Sequence, residues 1–63
     1  MYYIDDWYGN VFGYENGELV SRRYGIETAT WPTREEAEAA RKEYLAKYPR
    51  LSPVWVSFDP DLE

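Results

Sequence analysis

Apolar and polar residues alternate through the first 24 positions, in short stretches broken by turn residues. Tyr2 to Tyr8 is rich in aromatic and β-branched residues, and Gly9-Asn10 then offers a turn. Val11 to Glu15 reads as a second short strand and Glu18 to Tyr24 as a third. Between them lies Asn16-Gly17, the strongest local signal in the chain. Both central positions of a type I′ turn need φ > 0, and Asn-Gly meets that at least cost. These elements predict a three-stranded β-meander.

If both turns are two-residue hairpins, counting fixes the register. Tyr14 then faces Leu19, Phe12 faces Ser21, Trp7 faces Phe12 and Asp5 faces Tyr14. One sheet face carries Tyr3, Trp7, Phe12, Tyr14 and Leu19. The other carries Tyr2, Ile4, Tyr8, Val11, Val20 and Tyr24. Neither face is polar, whereas one-sided antiparallel sheets normally alternate cleanly.

The period then changes. Gly25 to Thr30 is a connector, with Ile26 to Thr30 as a short extended piece. At Trp31-Pro32-Thr33-Arg34-Glu35-Glu36 a helix starts. Thr33 is the expected N-cap, and Glu36 closes a capping box by bonding back to the Thr33 N–H. Glu35 and Glu36 suit the positive end of the helix dipole. The helix is expected over about 34–48, ended by Pro49. Its apolar stripe is Ala37, Ala40, Tyr44, Leu45 and Tyr48, small at the start and large at the end. Arg34/Glu38, Glu38/Lys42 and Glu43/Lys47 are candidate i,i+4 pairs on the outside.

After the loop from Pro49 to Pro53, Val54 to Phe58 alternates as a final strand. Residues 59–63 form an acidic tail. The expected fold class is α+β: a small antiparallel sheet, the meander plus a C-terminal strand, packed on one helix in the order βββαβ. Its 63 residues form a single domain.

Composition now limits the chemistry. The chain has no Cys and no His. Disulfides, thiolate metal sites, His-built zinc sites and triads based on His are therefore excluded. Asp5-Asp6 and Asp59-Pro60-Asp61 are the carboxylate clusters outside the helix. Neighbouring strand residues point to opposite faces, so Asp5 and Asp6 do not readily share an ion. No phosphate loop, nucleophile elbow or GxGxxG is present. The expectation is a protein that is not an enzyme and has no cofactor or metal.

Twelve acids against seven bases give a net charge of −5, which argues against direct nucleic-acid binding. The few bases are scattered, with Arg22-Arg23 and Arg41-Lys42 the adjacent pairs. No signal-peptide pattern and no apolar run near the ~20 residues of a membrane span are present. A cytoplasmic location without membrane contact is the default expectation.

Twelve residues are aromatic, against ten Val, Leu and Ile together. One helix covers one face of a small sheet, which leaves aromatics on the other. Tyr and Trp are enriched at interface hot spots, and a large exposed apolar patch signals a partner. The expected function is a non-catalytic binding or modulator protein acting by protein–protein contact through an aromatic sheet face. Its candidate partner-binding residues are Tyr3, Trp7, Tyr14 and Trp55 as anchors, with Asp5 and Glu15 at the rim. The partner would present a basic or amphipathic surface. The hairpin followed by Thr33 to Ala40 looks like many small accessory proteins of bacteria and their phages, but capping alone explains that stretch and it carries no function over. The binding module is expected to act as an inhibitor or accessory factor of bacterial or phage origin. Two alternatives are a homodimeric self-association domain and an acidic mimic of nucleic acid that blocks a basic groove.

Overall fold

The computed structural model describes residues 1–50 and 53–61. The elements are β1 (Tyr2–Asp6), β2 (Val11–Glu15), β3 (Glu18–Arg22), α1 (Arg34–Lys47) and β4 (Val54–Phe58). The fold is α+β in the expected order βββαβ. Of the acidic tail, residues 62 and 63 lie outside the described residues.

The β2–β3 hairpin has the register given by counting, with Tyr14 opposite Leu19 and Phe12 opposite Ser21. Asn16 at φ 54° and Gly17 at φ 78° make the turn, both in the left-handed region that a type I′ turn requires. A two-residue loop makes its flanking residues a hydrogen-bonded pair, and such pairs then alternate along the ladder. Phe12 and Tyr14 therefore turn their backbone groups toward the other edge of β2. There the Ala29 N–H donates to the Phe12 carbonyl at 2.9 Å.

The meander does not form, because β1 pairs with β4 and not with β2. Trp7 does not face Phe12, nor Asp5 Tyr14. Asp6 supplies the physical reason. Its carboxylate accepts the backbone N–H groups of Tyr8 and Asn10, each at 3.0 Å, and the Asn10 side-chain amide at 2.8 Å. The Gly9 N–H also donates to the Asp6 carbonyl at 3.4 Å. These bonds fold residues 7–10 around Asp6 as a loop and end the strand two residues early. The strand β1 instead takes β4 antiparallel, with Ile4 opposite Val56 and Asp6 opposite Val54.

The connector joins the two strand pairs. Trp31 and Tyr2 exchange backbone hydrogen bonds of 2.8 and 2.9 Å, while Ala29 holds the edge of β2. The strands form two separate two-stranded sheets, β1–β4 and β2–β3, with the connector bridging β2 and β1. Before reaching that position, the connector crosses the face of β2 at Gly13. A Cβ built on Gly13 would overlap the Glu27 carbonyl oxygen and lie 3.0 Å from the Ile26 side chain.

Thr33 caps α1 as expected, with the Glu36 N–H donating to Thr33 Oγ1 at 3.2 Å. The reciprocal bond differs from the capping box. The Thr33 hydroxyl, not its N–H, donates to Glu36 Oε2 at 3.2 Å. The buried cluster joins Ile4, Phe12, Ala40, Tyr44 and Val54, with Leu19, Trp31 and Leu45 packed against it. Phe12 meets Tyr44 edge-on, with ring centroids 5.2 Å apart. Ala37 and Ala40 are the small buried residues that let the helix approach the strands. Ile4 and Phe12, expected on opposite faces, share this core because β1 and β2 are not hairpin partners.

Candidate functional site

The candidate residues fall in three places. Tyr3, Asp5 and Trp55 form one group. In the β1–β4 ladder, Tyr3 faces Ser57 and Asp5 faces Trp55. Directly opposed residues share a sheet face, and side chains alternate along each strand. These four therefore lie on the side away from Ile4, Val54 and Val56, which are buried. Trp55 in mid-strand is 38% exposed on that outer face. The Asp5 carboxylate there accepts the Asp6 N–H at 2.9 Å.

Trp7 stands in the loop after β1 and is 74% exposed; Tyr8 beside it is also exposed. Tyr14 belongs to the inner side, with its ring 6.3 Å from that of Trp31. It borders an open groove of about 440 Å³ between the β2–β3 hairpin and α1, shared with Leu19, Ala40, Tyr44 and Lys47. Glu15 pairs with Arg22 at 3.0 Å. Tyr14 is thus not part of the surface that holds Tyr3, Asp5 and Trp55, and Glu15, on the other face of β2, belongs to the separate β2–β3 sheet.

Two polar clusters escaped the sequence reading. The first is Asp6, whose side chain is fully enclosed and also accepts from Arg50 at 3.2 Å. The Arg50 guanidinium in turn lies over the rings of Phe12 and Tyr44, at 5.7 and 5.9 Å. Burial pushes the Asp6 pKa up, but the hydrogen bonds from Asn10 and Tyr8 and the charge of Arg50 outweigh it. The net effect holds the carboxyl below its ordinary value. An Asp four residues before an Asn, with Gly9 between, is a signal for an Asx-type loop. Arg50 is 44 residues away, beyond any local pattern.

The second cluster is centred on Glu18. Its Oε1 accepts from Lys47 Nζ at 2.8 Å and from the Tyr48 hydroxyl at 2.9 Å. Those bonds lower the Glu18 pKa, and Glu18 raises the pKa values of Lys47 and Tyr48. The cluster ties the start of β3 to the end of α1. Lys47 was expected to pair with Glu43; Glu18 takes it. Arg34, expected to pair with Glu38, lies over the Tyr2 ring at 5.2 Å. Glu38 pairs at 3.2 Å with Arg41, three residues on.

Both Asp6 oxygens are occupied by protein donors. Among the described residues there is no group of three or more side chains able to hold a metal ion. Likewise, no helix among them is long and apolar enough to cross a membrane. Set against protein-family models, curated proteins and solved structures, the chain matches none.

Proposed function

We propose that this chain is a non-catalytic binding module that acts by protein–protein contact through the outer face of the β1–β4 pair. Trp55 and Tyr3 are the aromatic anchors and Asp5 supplies the polar rim. Trp7, one residue beyond β1, widens the surface. The observation that carries this reading is Trp55, a large ring in mid-strand that stays partly in water on the face turned from the core. Such rings give the largest contact area for the least entropy lost, and they dominate interface energetics. The net charge of −5 favours a partner with a basic or amphipathic surface.

The test is binding of a captured, purified partner to wild type and variants. Trp55→Ala should weaken binding by about 2 kcal/mol or more, roughly 30-fold, with the circular dichroism spectrum retained. Asp5→Lys should weaken it too, without removing an aromatic. Tyr14→Ala should bind as wild type. If neither Trp55→Ala nor Asp5→Lys changes affinity while both remain folded, this face is not the interface. Affinity should vary little with salt; a steep fall would point to an acidic mimic of nucleic acid instead.

A further inference from the structure

The outer edge of β3 is a separate surface. Its inner edge is taken by β2, and no backbone group among the described residues pairs with the other side. The alternation fixed by the Asn16-Gly17 turn directs the N–H and C=O groups of Leu19 and Ser21 outward there. One of these groups is covered: the Arg22 guanidinium donates to the Ser21 carbonyl at 2.9 Å, while its other nitrogen holds Glu15. An open strand edge is a template for another strand, and a charged side chain laid along it is a usual guard.

We propose that β3 pairs with β3 of a second copy of this chain, antiparallel about a two-fold axis at Val20. In that register Leu19 and Ser21 each face the other residue of the second copy, and their outward groups satisfy one another. The charges match in the same register. Glu18 keeps Lys47 and Tyr48 on Oε1 and turns Oε2 to Arg22 of the second copy, and Arg22 faces its Glu18, so two opposite-charge cross-strand pairs form. Within one copy Glu15 and Glu18 are directly opposed, with Glu15 paired to Arg22 and Glu18 to Lys47 and Tyr48. The incoming Leu19 arrives beside Ser21, where a groove of about 200 Å³ opens between β3 and the Tyr44 and Tyr48 rings. Arg22 leaves the Ser21 carbonyl to allow this. Its present ion pair is exposed on both sides, and such pairs hold weakly.

The contact is short, so the dimer is expected to form with a midpoint of about 100 μM. Sedimentation equilibrium on the full chain over rising concentration tests it. Wild type should move from the 7.5 kDa monomer to twice that mass. Ser21→Pro removes an outward N–H without touching the β2 ladder, and it should stay monomeric with its circular dichroism unchanged. Arg22→Glu should lose the dimer, because it sets a carboxylate against Glu18 of the second copy. A wild type that remains monomeric to about 1 mM overturns the proposal and leaves this edge to a strand of a different protein. So does a Ser21→Pro or an Arg22→Glu variant that dimerises like wild type. None of these outcomes bears on the outer face of β1–β4, which Trp55→Ala tests independently.

Discussion

Asp6 carries a carboxylate into an apolar interior, opposite Val54 and two residues from Ile4. It is tolerated because its oxygens accept four hydrogen bonds, one of them from Arg50. Removing one partner of such a set strands the others without water. Asp6→Ala is therefore expected to lose about 2–4 kcal/mol of stability in urea titrations. The pH dependence has a definite sign. The folded pKa lies below the ordinary 3.8, so the contribution is present above the unfolded pKa and is lost as pH falls through the folded one. Wild type should lose more stability between pH 5 and pH 2 than Asp6→Ala does, as measured by urea midpoints at each pH.

Among the elements, the hairpin and the helix were legible because their signals are local. Asn16-Gly17 fixes its own backbone, and Thr33 with Glu36 fixes a helix end; neither needs a distant partner. The strand pairing was not legible for the opposite reason. A meander and the observed arrangement use the same strands, and the choice between them rests on Asp6 and on β4, almost a full chain length away from β1. The candidate surface shared that fate. Trp55, Tyr3 and Asp5 meet because β4 lies beside β1, whereas only a β1–β2 register, which does not form, would group Tyr14 with them. Gly13 is the element-scale test of this arrangement. It opposes Val20, and its missing side chain lets the connector cross β2. Gly13→Ala forces the Glu27 backbone away and should cost about 1–3 kcal/mol by thermal or urea unfolding. A change under 0.5 kcal/mol would mean that the connector does not cross there.

For the whole molecule, Glu18 and Lys47 line the open groove between the hairpin and α1, and with Tyr48 they tie the hairpin to the helix end. That tie has a pH limit on each side. Lys47 and Tyr48 have raised pKa values, so their contribution is present below the unfolded values near 10 and is lost as pH rises through the folded ones. Glu18 has a lowered pKa, so its contribution is lost as pH falls through the folded value. All three groups lie at the surface, and added salt weakens the charge–charge part. Glu18→Gln should therefore flatten the decline of the unfolding midpoint above pH 10. An unchanged alkaline slope would show that the hairpin holds to the helix without this contact.

The pairing of β1 with β4 also sets an order of events as the chain leaves the ribosome. The β2–β3 hairpin closes over two residues and can form within microseconds of its synthesis. The strand β1 emerges before it, yet its ladder partner β4 is made only after β2, β3 and α1. Until residues 54–58 arrive, β1 has one edge to offer Trp31 and the other bare, with Tyr2, Tyr3 and Ile4 side by side. Long-range closure of this kind slows folding and prolongs exposure of apolar strand. During synthesis β1 is thus the strand most vulnerable to aggregation, and β4 is the one that ends the hazard.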